Sequence, residues 1–211
     1  MKPTPAQIRS LSRRDPTLGK AIRKLGPFPG FPENFHRRTP TFAYLARAII
    51  FQQLAYAAAN TIWLRATSLK GESGKTSASE IASLSDAKLR GAGLSRAKLA
   101  ALRDLSQKVM SGELKLGGLS RLEDEEVIHR LVAVRGIGPW TAKMFLIFKL
   151  GRLDVLPSTD LGVQEGLRQL DGLRERPNPK ELELRAECWK PLQSVASWYL
   201  WRRLDSPEGD W

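Results

Sequence analysis

The chain has 211 residues, of which 42% are hydrophobic, so it can bury the core of one large domain or of two interleaved ones. Its 34 Lys and Arg exceed its 22 Asp and Glu, giving a formal net charge of +12 that favours a polyanionic partner, nucleic acid before a membrane surface. A generally solvated basic surface is the alternative explanation of this charge.

Several classes of protein are excluded by the same inspection. No apolar run reaches the ~18–20 residues of a membrane span, and the N-terminal residues lack the apolar stretch of a secretory signal. The single Cys188 excludes an internal disulfide framework, and with only His36 and His129 beside it a zinc site is not expected. We therefore expect a cytoplasmic protein in a bacterium, associated with the nucleoid, or a nuclear protein in a eukaryote.

Helical spacing of apolar residues recurs throughout, and no segment alternates long enough for a strand, which predicts an all-α fold. Helices are predicted at 4–13 and 16–25. A linker at 26–40, rich in proline and glycine, follows them and should be pinned by Phe28, Phe31 and Phe35. Further helices are predicted at 79–84, 86–90, 95–112, 120–134, 161–170 and 178–204, with Ser85, Ser95 and Asn178 or Pro179 at N-termini and a break at Pro191.

Residues 41–69 contain neither Gly nor Pro and almost no charge, which predicts one long, central, buried helix. Gln52 and Gln53 interrupt its apolar sequence. These amides either bridge buried main chain or reach a ligand, and the sequence does not choose between the two.

The most informative stretch is 127–161, where the turn Gly136-Ile137-Gly138 separates two apolar runs. Glycine permits positive φ and close approach, and main-chain N–H groups at the start of the second helix would face outward toward a phosphate, helped by Arg135 and Lys143. Asp160 follows in a short polar segment. By itself it is explained as a helix N-cap, but the hairpin before it favours a catalytic carboxylate.

LVAVRGIGPWTAKMF and DVLPSTDLGVQEGL resemble the helix-hairpin-helix DNA glycosylases, and most closely their alkylpurine branch, the 3-methyladenine DNA glycosylase II group. LARAIIFQQLAYAAANTI, LRGAGLSRAKLAAL and ECWKPLQSVASWYLW are similar to other segments of that branch, so the resemblance covers residues 8–204. It implies two helical lobes with an active site in the cleft between them, one lobe of residues 41–150 and the other of 1–40 plus 151–211.

The resemblance also implies a role for individual residues. Asp160 matches the catalytic aspartate, Gln53 matches the residue that wedges into the duplex, and Arg135 to Gly138 with Lys143 match the phosphate-binding hairpin. Trp140 stands where relatives that also cut the strand have a lysine, so the enzyme should be monofunctional. The base pocket is expected to contain Trp140, Met144, Trp201 and Tyr56.

The chain departs from the branch at Met144, where some members have a tyrosine, at Ala55 in place of serine, and at Arg135 in place of proline. The implied function is removal of alkylated purines such as 3-methyladenine by base flipping, which leaves an abasic site. The expected partner is double-stranded DNA containing alkylated bases, bound by a monomer. No cofactor and no catalytic metal are expected, apart from a monovalent cation at the hairpin when DNA is bound. The alternatives are a non-catalytic binder of damaged DNA and a glycosylase for oxidised or deaminated bases.

Overall fold

The computed structural model describes residues 2–31, 39–69 and 76–204. Within these ranges the regular structure is entirely helical and no β-strand occurs, which confirms the all-α prediction. The helices are α1 (Pro5–Arg14), α2 (Pro16–Leu25), α3 (Thr41–Phe51), α4 (Tyr56–Ser68), α5 (Ala78–Ser83), α6 (Asp86–Gly91), α7 (Arg96–Met110), α8 (Asp124–Val132), α9 (Pro139–Met144), α10 (Leu161–Asp171), α11 (Pro179–Ala186) and α12 (Gln193–Leu204). A π-helical segment, Phe145–Leu150, continues α9, and 3-10 turns occur at Leu119–Arg121 and Glu187–Trp189.

The chain divides into two compact units: Met1–Phe31 with Leu146–Trp211, which we call the terminal unit, and Pro32–Phe145, the central unit. These boundaries lie nine and five residues before the expected lobe boundaries at 40/41 and 150/151. No helix in the described part of the chain is long and apolar enough to cross a membrane.

Local sequence signals explain most helix ends. Ser85 and Ser95 accept hydrogen bonds from the N–H groups three residues on, at 3.3 and 3.2 Å, as expected of N-caps. Asn178 caps α11 in the same way, and Pro191 lies in the junction between the 3-10 turn Glu187–Trp189 and α12, which confirms the predicted break. The acidic first turn of α8 suits the positive end of its dipole.

The linker phenylalanines pack as predicted where the structure describes them. Phe28 contacts Phe31 edge-on at 5.1 Å between ring centroids and Trp198 at 5.2 Å. Phe31 is buried and contacts Phe148. Phe35 lies outside the described residues.

Asp15 is the buried polar centre of the terminal unit. Its Oδ1 accepts from the Leu18 N–H at 2.9 Å and so caps α2, while its Oδ2 accepts from Trp189 Nε1 at 2.7 Å and lies 2.8 Å from Arg185. Burial alone would raise the pKa of the Asp15 carboxyl. The hydrogen bonds from Arg185, the Leu18 N–H and Trp189 outweigh burial and hold that pKa below its ordinary value.

Asp15→Asn is expected to lower the free energy of unfolding by about 2 kcal/mol at pH 7, because buried hydrogen bonds to a charged group are lost. Since the folded-state pKa is the lower one, the carboxylate stabilises the protein above its unfolded-state pKa. This contribution is lost as pH falls through the folded-state value, so the difference from wild type should narrow toward low pH. Urea unfolding between pH 3 and 7 measures it. Asp86→Asn, which breaks an exposed ion pair to Arg103, is the control, and equal stabilities of Asp15→Asn and wild type at pH 7 would contradict the role.

In the central unit the predicted single helix over 41–69 is wrong. The helix ends at Phe51 and restarts at Tyr56, and Gln53 between them has a φ of +57°, the one positive φ of a non-glycine residue in the described ranges. The prediction of burial holds for α3 but not for α4, where only Ala59 and Ala66 are buried. The cause of the break lies in contacts from distant residues, described below.

Candidate functional site

The loop before Asp160 is fixed by hydrogen bonds within the terminal unit. Ser194 Oγ accepts from the Val155 N–H at 2.9 Å and donates to the Val155 carbonyl at 3.1 Å. The buried Gln164 amide donates to the Ser158 carbonyl at 2.9 Å, and the Asp160 N–H donates to Pro157 O at 2.9 Å. These hydrogen bonds fix the main chain of residues 155–160 and so the position of Asp160.

Asp160 is half-buried and caps α10, accepting from the Val163 N–H at 2.9 Å. The same oxygen, Oδ1, also accepts from Trp201 Nε1 at 2.8 Å. The N-cap explanation of Asp160 is thus correct, and it does not compete with a catalytic one. An indole N–H that reaches across from α12 goes beyond what capping requires and fixes the orientation of the carboxylate.

Two glycines allow α12 to approach α10 this closely. A Cβ on Gly166 would lie 2.7 Å from the Leu200 carbonyl oxygen, and one on Gly162 would lie 3.0 Å from the Trp201 ring. Trp201 also stacks on Phe148 with centroids 5.8 Å apart and planes inclined by 27°. The indole is therefore held between a ring on one side and the carboxylate that accepts its N–H.

The glycine hairpin joins α8 to α9 in the central unit. Gly136 has a φ of +79° and so uses the freedom that glycine permits, whereas Gly138 has a φ of −93°, which any residue can adopt. Ile137 is buried and its N–H donates to Val134 O at 3.0 Å, so Ile137 anchors the turn and its N–H is not available to a phosphate. In the described part of the chain, the N–H groups of Gly136 and Gly138 donate to no protein acceptor.

Helix α7 packs against this hairpin through Ala101 and Asp104. A Cβ on Gly136 would meet Ala101 Cβ at 3.0 Å, so the glycine allows the close approach. Asp104 Oδ2 accepts from the Arg135 N–H at 2.8 Å. An open cavity of about 480 Å³ beside the hairpin is lined by Asp104, Lys108 and residues 132–138. The hairpin thus offers the Gly136 and Gly138 N–H groups beside a shallow, open surface that includes the cationic residues Arg135 and Lys108.

The other predicted site residues of the central unit lie as follows. Trp140 and Met144 are one turn apart on α9, with 44% of Trp140 exposed and Met144 half-buried. Lys143 is half-buried on the same helix and Arg135 is exposed. Tyr56 is 70% exposed and packs edge-on against Phe51 at 5.7 Å. Trp140 and Met144 therefore share one face of α9, whereas the described contacts of Tyr56 are with α3.

Sequence reasoning missed several residues that shape these surfaces. One of them is Arg47, whose Cζ lies 3.6 Å from the Phe51 ring centroid. The others are Lys98, Asp104 and Phe148, which contact the end of α3, the hairpin and Trp201 respectively. Lys98 belongs to the segment LRGAGLSRAKLAAL, which resembles the family, but the sequence does not show that its side chain contacts the end of α3. No local pattern distinguishes Asp104 from an ordinary surface aspartate.

A helical fold in which a glycine hairpin joins two helices, followed by an aspartate at the next helix N-terminus, defines a helix-hairpin-helix protein. Residues 46–192 match the HhH-GPD superfamily of base excision DNA repair proteins, and the chain belongs to that family.

Several relatives within this family are named as 3-methyladenine DNA glycosylases. Over 200 residues, 94% of this chain and 86% of the relative, the chain is 32% identical to DNA-3-methyladenine glycosylase 1 of Schizosaccharomyces pombe. A solved structure of that yeast's 3-methyladenine DNA glycosylase in complex with abasic DNA matches with a TM-score of 0.82 and 31% identity, over 93% of this chain and 95% of the other. The DNA-3-methyladenine glycosidase of Bacillus halodurans matches with a TM-score of 0.81 and 35% identity, over 94% and 88% of the two chains.

Proposed function

We propose that this protein is a DNA glycosylase that flips alkylated, cationic purines such as 3-methyladenine out of the duplex and hydrolyses their N-glycosidic bond. The observation that carries the proposal is the Asp160 carboxylate, held by the Val163 and Trp201 N–H groups, in a chain of the base excision repair family. The relatives named for 3-methyladenine support this choice of substrate.

The chemistry follows from the charge of the substrate. Alkylation at N3 or N7 makes the purine cationic, so it leaves as a neutral base when the C1′–N bond breaks and its electron pair returns to the ring. Positive charge then develops on the sugar, and a fixed carboxylate stabilises it electrostatically. Water adds to C1′, its proton passes to solvent, and the products are a free base and an abasic sugar. Asp160 is the residue proposed to stabilise the sugar cation.

We propose that the reaction stops there, without strand cleavage. A lyase step needs an amine that attacks C1′ to form a Schiff base, and Trp140 provides none. Lys143, three residues further along α9, is proposed instead to lie beside a phosphate at the hairpin. Borohydride reduction of the reaction mixture should therefore trap no covalent adduct between protein and DNA, and a trapped adduct would show that the enzyme is a lyase.

DNA binding is proposed to start at the hairpin. The Gly136 and Gly138 N–H groups would donate to a phosphate, with Arg135 and Lys143 adding positive charge. The adjoining cavity is lined by Asp104 and residues 132–138, and carboxylate and main-chain carbonyl oxygens are the kind of ligand that suits an alkali cation. Such an ion would neutralise the approaching phosphate, and the chemical step requires no cofactor.

The same proposal assigns the residues that would contact the flipped base. Trp140 and Met144 offer an aromatic ring and a polarisable thioether on one face of α9. A cationic base stacked on an aromatic ring gains roughly 0.5–2 kcal/mol. Trp201 is proposed as a second stacking residue that also orients Asp160. Tyr56 has a large exposed ring, and Gln53 is proposed to fill the space left in the duplex.

Trp201→Phe is expected to slow single-turnover base release about tenfold, because it keeps the ring that stacks on Phe148 but removes the hydrogen bond to Asp160. Trp198→Phe is the matched control. Trp198 packs edge-on against Phe28 and Tyr199, and its substitution should leave the rate within twofold of wild type. An unchanged rate for Trp201→Phe would show that the indole N–H does not position the carboxylate.

The proposed function is tested by measuring base release from duplexes that each carry one methylated, etheno or deaminated purine. We expect release of 3-methyladenine and 7-methylguanine above the spontaneous rate. Binding to these duplexes without release of any base would identify a non-catalytic binder of damaged DNA. Release restricted to the deaminated purines would assign a different substrate class.

A further inference from the structure

The segment between α3 and α4 is held in an unusual conformation. Gln53 has a φ of +57°, in the left-handed region that residues with a Cβ rarely adopt. The four residues 52–55 contain no glycine or proline that would favour a break. A strained residue of this kind persists only where surrounding contacts hold it, and such positions concentrate at functional sites.

Lys98 holds the end of α3. Its Nζ donates to the Ile50 carbonyl at 2.6 Å and to the Gln52 carbonyl at 2.8 Å. These carbonyls belong to the helix C-terminus, where intrahelical donors run out and a cation complements the dipole. Lys98 therefore stabilises the termination of α3 at Phe51, two residues before Gln53.

Gln52 connects the same break to the glycine hairpin. Its Nε2 donates to the Gly136 carbonyl at 2.9 Å and lies 3.3 Å from Thr141 Oγ1 on α9. One side chain thus joins the α3–α4 break to the turn proposed to bind phosphate and to the helix that follows it. The sequence left open whether these amides bridge main chain or reach a ligand. Gln52 does bridge main chain, whereas the Gln53 side chain is exposed and accessible to a ligand.

We propose that Gln52 and Lys98 are positioning residues for DNA interrogation, which hold Gln53 ready for insertion into the duplex and tie its position to the hairpin. This inference rests on the proposed function, because it takes Gln53 as the inserted residue. Binding of phosphate at the hairpin and insertion of Gln53 are then coupled, because the Gln52 side chain contacts the turn and is next to Gln53 in the chain.

The competing explanation is that both residues only stabilise the central unit. A double-mutant cycle distinguishes the two, because a residue that acts through Gln53 has no effect on insertion once the Gln53 side chain is absent. The measured quantity is the ratio of affinities for a duplex with an abasic site and for the same undamaged duplex. Four proteins are compared: wild type, Gln52→Leu, Gln53→Ala and the double variant. Thermal unfolding of each reports any loss of stability separately.

We expect Gln52→Leu to reduce this ratio about fivefold or more in the wild-type background and less than twofold in the Gln53→Ala background. Lys98→Met should behave in the same way, and if it fails to fold, the Gln52→Leu cycle decides alone. An equal reduction in both backgrounds, or no reduction in either, would overturn the inference. The ratio requires no catalysis, so a non-additive cycle in a protein that releases no base would reject the proposed function alone. An additive cycle in an active glycosylase would reject this inference alone.

Discussion

Asp160→Asn is expected to reduce single-turnover release of 3-methyladenine by about 100-fold or more, because a neutral amide stabilises the sugar cation far less than a carboxylate does. Folding should be retained. Asparagine keeps the Oδ1 acceptor for the Val163 and Trp201 N–H groups and is itself a favoured N-cap. Affinity for abasic DNA should stay within a few-fold of wild type.

Asp154→Asn is the matched control for this experiment. Asp154 is an exposed carboxylate six residues earlier in the same loop, and its Oδ1 accepts from the Gln193 N–H at 3.2 Å, a structural role that asparagine can fill. Its rate should equal that of wild type. Wild-type activity in Asp160→Asn, or an equal loss in both variants, would contradict the catalytic assignment of Asp160.

The second large effect is expected at the hairpin. Gly138→Asp should weaken binding to all duplex sequences about tenfold at moderate salt and lower the slope of log affinity against log salt by about one, because it places an anion beside a phosphate. Gly138 suits this test. Its φ of −93° needs no glycine, a Cβ there meets nothing within 4 Å, and aspartate is a favoured N-cap for α9.

Gly138→Asn serves as the uncharged control of the same shape. It should bind DNA more tightly than Gly138→Asp, and both should unfold at or above the wild-type temperature. Gly136→Asp is less informative, since its φ of +79° and the nearby Ala101 would add backbone strain to the charge effect. Equal affinities of Gly138→Asp and Gly138→Asn would show that no phosphate approaches this turn.

Local signals account for the parts of the fold that could be predicted. Ser85, Ser95 and Asn178 cap helices through contacts two or three residues along the chain, so the sequence alone places those helix ends. The positive φ of Gly136 and the capping role of Asp160 follow from equally short-range patterns.

The remaining features depend on partners far apart in sequence. The break after Phe51 follows from Lys98 and from the hairpin carbonyl of Gly136, so 41–69 read locally as one helix. Of the two hairpin glycines, only Gly136 uses the positive φ that glycine permits, and the sequence alone does not show which of the two does so. The hydrogen bond from Trp201 to Asp160 joins α12 to the start of α10, and no periodicity in either helix reveals it.

The most direct test of the central claim is the fate of a duplex that contains one 3-methyladenine and is incubated with excess enzyme. We expect free 3-methyladenine in the supernatant and a full-length strand under neutral conditions, which alkali then cleaves at the lesion position. A full-length strand that resists alkali would show that no base was removed. Cleavage already present under neutral conditions would show that this protein does not stop at hydrolysis.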